Sequence, residues 1–167
     1  MSTSKERVLR RERERGYLLG YEKAQYIQIN ADSMTGTELY AVDFNIPSFT
    51  AAVAKMNMLD RSAGQSGGFV CRSSAGRVVR LLQKYDSTVY VHEDGTPWEP
   101  EELPAQWGFK WSTDPAKALP FVAISTSPYM LGDCCSVDGV VYRSAMDNNV
   151  WNPLDYPSGW EEVAAGG

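Results

Sequence analysis

The sequence predicts a mainly β protein: an N-terminal helix followed by two tandem small β-hairpin or β-sheet modules. Three observations lead there. A 14-residue segment recurs in the C-terminal two-thirds of the chain. From about Asp43 onward, short apolar runs alternate with turn residues. The first 25 residues differ from the rest in charge and in periodicity. The 14 Gly, nine Pro and 19 aromatic residues suit short strands and turns.

The repeat carries most weight, because self-similarity at a fixed offset reports a duplicated structural unit. Residues 94–107 read Asp-Gly-Thr-Pro-Trp-Glu-Pro-Glu-Glu-Leu-Pro-Ala-Gln-Trp. Residues 147–160 read Asp-Asn-Asn-Val-Trp-Asn-Pro-Leu-Asp-Tyr-Pro-Ser-Gly-Trp and align without a gap at an offset of 53. Five positions are identical: Asp94/Asp147, Trp98/Trp151, Pro100/Pro153, Pro104/Pro157 and Trp107/Trp160. Upstream, Gly76-Arg-Val-Val-Arg80 matches Gly139-Val-Val-Tyr-Arg143, and Cys71 falls opposite Cys135 with one extra residue in the first turn. Each module opens at a proline, Pro47 or Pro120, which gives an arm over residues 1–45 and modules over 46–112 and 113–167. Trp107 and Trp160, each closing its copy, are the expected core aromatics.

Residues 3–24 predict a helix, with Ser4 as N-cap and Arg7 where a capping-box acid would stand. Tyr17, Tyr21 and Ala24 form a short apolar stripe, and Gly16 and Gly20 weaken the helix interior. Residues 26–30 alternate as a short strand would, and residues 33–37 read as a turn. Hairpins are expected from residues 69–71 with 77–82, turning at 73–76, and from 133–136 with 140–143, turning at 137–139. The alternation over 87–92 reads as a further strand.

Charge divides the chain. Residues 1–25 carry seven Lys or Arg and four Glu, whereas the remainder carries nine basic and 17 acidic groups. A basic arm on an acidic body suits docking to an acidic surface such as another copy of the chain. The Glu residues interspersed in the arm argue against nucleic acid. The first 16 residues contain no apolar segment of signal-peptide type, and no apolar run is long enough for a membrane span. Cys71, Cys134 and Cys135 read as small core residues, and no metal or cofactor is expected, because one His beside two adjacent Cys matches no zinc spacing. No Ser/His/Asp set is visible, and the carboxylates Glu99, Glu101, Glu102, Asp155, Glu161 and Glu162 read as solvated loops, so no catalytic residue is expected.

Glycans are bound by aromatic faces that stack on sugar rings and by planar polar side chains that bond hydroxyls. The second module offers Trp151, Tyr156, Asp147, Asn148 and Asn149 for this, and the first offers Trp98, Tyr90, Tyr85 and Asp94. The same Trp residues could instead pack as the core of their loops.

Tyr129-Met-Leu-Gly-Asp133, Val137-Asp-Gly-Val-Val-Tyr-Arg143 and Trp160-Glu-Glu-Val163 carry a family resemblance. Residues 121–163 resemble the small carbohydrate-binding modules of the chitinase-associated type, families 5 and 12, and residues 46–111 resemble them more loosely. Met146 and Asp147 stand where that family has an adjacent Trp pair. The whole chain is similar to small proteins of tailed bacteriophages and prophages of Gram-positive bacteria, through Met34-Thr-Gly-Thr-Glu-Leu39, Thr113-Asp-Pro-Ala-Lys117 and Tyr142-Arg-Ser-Ala-Met-Asp-Asn-Asn149. The resemblance implies a virion protein of the tail tip, fibre or baseplate, made and assembled in the host cytoplasm and placed in the tail rather than the capsid. It implies contacts with other virion proteins through the N-terminal helix, a homo-oligomer (a trimer for a fibre-like protein), and host cell-wall polysaccharide as ligand. The alternative is a purely structural subunit, a tail adaptor or capsid decoration, that uses the same aromatics against protein.

Overall fold

The structure, a computed structural model, describes residues 3–55, 58–59 and 68–164, with the side chains of Leu9 and residues 12–21 outside the description. Its elements in chain order are helices α1 (Ser4–Asn30), α2 (Gly36–Ala41) and α3 (Phe49–Ala54), then strands β1 (Val70–Arg72), β2 (Val78–Leu81), β3 (Trp107–Phe109), β4 (Leu119–Pro120), β5 (Cys134–Val137), β6 (Val140–Ser144) and β7 (Trp160–Glu162). The strands form a three-stranded sheet β1-β2-β3 and a four-stranded sheet β4-β5-β6-β7, the mainly β body that the sequence predicts.

The helix predicted over residues 3–24 is present as α1, but its cap and the strand expected after it need correction. The cap of α1 is Thr3, not Ser4. The Glu6 N–H donates to Thr3 Oγ1 at 3.2 Å and the Thr3 N–H to Glu6 Oε2 at 2.8 Å, a reciprocal pair that Ser4 and Arg7 cannot make. Residues 26–30 are not a strand but the last turns of α1. A strand would put Ile27 and Ile29 on one face, yet Ile27 is 3% exposed and Ile29 76% exposed. Tertiary packing overrides the local pattern here: Ile27 and Ala31 bury against Leu39, Tyr40, Ile46, Val70 and Val78. The Gln28 amide clasps β1 alongside, donating to Val70 O at 2.7 Å and accepting from Val70 N–H at 2.9 Å. Two short helices that the sequence reading did not include, α2 in the arm and α3 in the first module, are capped by side chains, α2 by the Thr35/Glu38 box and α3 by Ser48.

The two halves repeat one ladder. In the first, Val70, Cys71 and Arg72 face Arg80, Val79 and Val78, and Val79, Arg80 and Leu81 face Phe109, Gly108 and Trp107. In the second, Cys134, Cys135 and Ser136 face Arg143, Tyr142 and Val141, and Tyr142, Arg143 and Ser144 face Glu162, Glu161 and Trp160. Cys71 thus corresponds to Cys135, Arg80 to Arg143 and Trp107 to Trp160. Flanking bonds repeat as well: Leu82 N–H to Gln106 O (2.7 Å) matches Ala145 N–H to Gly159 O (2.9 Å), and Lys110 N–H to Val78 O (3.0 Å) matches Val163 N–H to Val141 O (2.8 Å). A parallel neighbour enters each ladder beside its opening proline, as the Ser48–Arg72 bridge in one half and as β4 on β5 in the other. The second hairpin turns on Asp138 (φ 50°) and Gly139 (φ 81°), the left-handed pair of a tight two-residue turn, and the longer first turn puts Gly76 at φ 87°.

Residues 87–92 are not a strand. Asp86 Oδ1 accepts from the Thr88 N–H at 2.9 Å and its hydroxyl at 2.6 Å, and this side-chain turn replaces ladder bonds, leaving only a Val91–Pro97 bridge.

The halves share one core. Phe109 stacks on Trp111 (5.8 Å between centroids), Trp111 on Tyr129 (4.3 Å) and Tyr129 on Phe121 (5.6 Å). Trp160 meets Tyr129 and Phe121 edge-on at 5.4 and 6.1 Å. Trp107, wholly buried, stands edge-on to Phe49 at 5.7 Å in the same cluster. Buried Arg77 adds a polar tie, pairing with Glu101 at 3.0 Å and donating to Pro120 O at 2.5 Å. The first sheet is covered on both faces, Val70 and Val78 by the helices and Cys71, Val79 and Leu81 by the aromatic core.

Because Trp160 belongs to this shared core, Trp160→Ala should cost about 3–5 kcal/mol. Thermal unfolding followed by circular dichroism and by fluorescence should shift as one transition. A shift confined to part of the signal would show that the halves unfold separately.

Candidate functional site

The loop between β6 and β7 is built from the inside outward. Asn149 is 0% exposed and holds it together. Its Nδ2 donates to Ser144 Oγ at 3.0 Å and to Gly159 O at 2.9 Å, and its Oδ1 accepts from the Trp151 N–H at 3.2 Å. Its backbone exchanges two bonds with Tyr129, at 2.7 and 2.9 Å. Asn149, expected to bond a ligand, has its amide committed to the loop and faces the interior, because a buried amide must be satisfied by protein. On one side, Asn148 takes the left-handed conformation (φ 55°) that asparagine tolerates, and Asp147 Oδ1 accepts from the Leu131 N–H at 2.9 Å. On the other, the Trp160 indole N–H donates to Trp151 O at 2.8 Å, and Asn152 turns the chain by accepting from the Leu154 N–H at 2.9 Å.

This framework presents Trp151 and Tyr156 outward, 55% and 43% exposed, with ring centroids 6.2 Å apart and planes tilted by 56°. Gly159 permits that placement, since a Cβ there would stand 2.7 Å from the Tyr156 ring. Asn148 and Asp147, in the same loop, are exposed. Three exposed apolar residues were not anticipated: Leu131 and Leu154, 64% and 58% exposed, and Met130 at 42%. They lie on loops without periodicity, where sequence carries no signal of exposure.

The first copy is arranged differently. Asp94 Oδ1 accepts from the Thr96 hydroxyl at 2.6 Å and its N–H at 3.0 Å; these bonds, the hydroxyl's first, hold the Asp94 carboxyl below the ordinary carboxylate range. Gly95 (φ 86°) stands where Asn148 does. Trp98 is half-buried and stacks on His92, with centroids 4.6 Å apart and planes 4° apart. Tyr90 and Tyr85, expected on a glycan face, pack instead in and against the core, with rings 5.6 Å apart. Tyr85 is 5% exposed, and burial pushes its phenol pKa up. The first loop also loses an anchor, because the Trp107 indole N–H lacks a partner equivalent to Trp151 O.

Among the described residues, no cluster of His, Cys, Asp or Glu could hold a metal ion, and no helix is long and apolar enough to cross a membrane. All three cysteines are buried thiols, and burial pushes Cys135 up to about 12.

Asn149→Ala leaves several buried groups unpaired and should cost about 2–4 kcal/mol, whereas exposed Trp151→Ala should stay within about 0.5 kcal/mol of the parent. Denaturant melts of the two variants check this; equal losses would mean that Trp151 packs rather than presents. No family model matches the chain, and neither a curated protein nor a solved structure matches it.

Proposed function

We propose that the chain is a virion protein of a tailed bacteriophage and binds host-surface glycan on the Trp151–Tyr156 face. The observation that carries the reading is the exposure of Trp151 on a loop whose backbone is pinned on both sides by part-buried bonds, those of Asn149 and of the Trp160 indole. A sugar ring stacks on an aromatic face through its C–H groups, and a face already fixed in place loses little entropy on binding. Asn148 and Asp147, exposed three and four residues before Trp151 in the same loop, supply partners for hydroxyls. One shallow face of this kind binds weakly, and many copies on a particle raise avidity by a factor on the order of 10² or more. The resemblance to phage tail proteins supports the virion setting, in which α1, with its described outer residues exposed, attaches the body to other virion proteins or to further copies.

A second reading has its own support. Leu131, Leu154 and Met130 are exposed apolar side chains that ring stacking does not use. That favours a structural virion subunit whose patch is covered by protein.

The two readings separate in a pull-down of multivalent full-length protein on purified Gram-positive cell walls. Glycan binding predicts retention that Trp151→Ala reduces about tenfold, the loss of one stacked ring with its desolvated surroundings. No retention of the parent protein, with the patch covered in assembled particles, would leave the structural reading.

A further inference from the structure

We propose that the first module carries a second glycan face at Trp98, which the protein's own His92 covers. The inference rests on the reading of Trp151 above. Trp98 occupies the repeat position of Trp151, four residues after the turn Asp (Asp94 or Asp147) and nine before the buried Trp (Trp107 or Trp160). The residue after each turn Asp is left-handed in both copies, Gly95 at φ 86° and Asn148 at φ 55°.

What differs is the face of the ring. Tyr156 is inclined by 56° to Trp151, which remains 55% exposed. His92 lies parallel to Trp98, 4° from coplanar and 4.6 Å away between centroids. A flat ring at that spacing fills the place where a sugar ring would stack.

The cover is held by polar contacts at the surface rather than by core packing. His92 Nε2 stands 3.2 Å from Glu102 Oε2, and that oxygen also accepts the Glu99 N–H at 2.8 Å. The His92 N–H donates to Thr96 O at 2.8 Å, so the main chain stays placed whatever the side chain. The His92 and Glu102 side chains are 36% and 40% exposed. His92, Glu93, Asp94 and Thr96 line an open depression of about 550 Å³ on this surface. Leu103 stands where Tyr156 does, so the covered face has a single aromatic ring.

The test uses full-length multivalent protein on purified Gram-positive cell walls, with Trp151→Ala as the background. Adding His92→Ala should recover most of the retention that Trp151→Ala loses. Trp98→Ala added to the His92→Ala protein should abolish it again. If the parent binds and Trp151→Ala does not, yet His92→Ala restores nothing, the covered face does not exist. Recovery that persists after Trp98→Ala would place it elsewhere and also contradict the proposal. A parent protein that binds no wall removes the glycan reading itself, and this inference with it.

Discussion

The stacking of Trp111 on Tyr129 is the contact on which the rest of the molecule depends. Their centroids are 4.3 Å apart, and the two residues belong to different halves of the chain. Each half alone has a ladder of three or four short strands, too small to bury much surface. Joined through Phe109, Trp111, Tyr129 and Phe121, with Trp160 edge-on at the end, they form one apolar interior that reaches Trp107 and Phe49. The Trp111 indole N–H is satisfied by Ser127 O at 2.9 Å, so the indole is not left an unpaired donor. The same Tyr129 exchanges backbone bonds with Asn149 and thereby fixes the loop that carries Trp151. Core and candidate site therefore share one residue.

Duplication supplied the ladder, and divergence supplied the difference between the loops. Strand register, the flanking bonds and the left-handed residue after the turn Asp recur in both copies. The anchors do not. Asn149 sits where the first copy has Thr96, a side chain too short to reach both the strand and the loop end as the amide does. The Trp151 carbonyl receives the Trp160 indole, whereas Trp107 has no such acceptor. The second loop is thus held open and the first leans on His92, a difference that follows from a few substitutions within one inherited frame.

Much of this was legible in the sequence, and what was not has physical causes. Asp138-Gly139 and Gly76 announced the hairpins, because left-handed turn positions restrict residue choice. The recurring Trp107 and Trp160 marked the ladder ends for the same kind of reason, a shared position in a shared frame. Residues 26–30 misled because only Ile27 of the alternating pair is buried in the helix, with Ile29 turned to the opposite, exposed side, and residues 87–92 misled because an Asp-initiated turn satisfies the same alternation. Asn149 read as a ligand group because nothing local distinguishes an amide that bonds its own loop from one that faces water. The shared core was not legible at all: Phe109, Trp111, Phe121 and Tyr129 lie on a strand end and connecting segments, and only long-range packing brings them together.

Expression of residues 113–167 alone tests the central claim most directly, since that fragment keeps the whole second ladder and lacks Phe109 and Trp111. If one core sustains both halves, the fragment shows no cooperative thermal transition, while the full chain unfolds in a single one. A fragment that melts cooperatively, with the dispersed amide spectrum of a folded domain, would contradict the account and make the second half a domain in its own right.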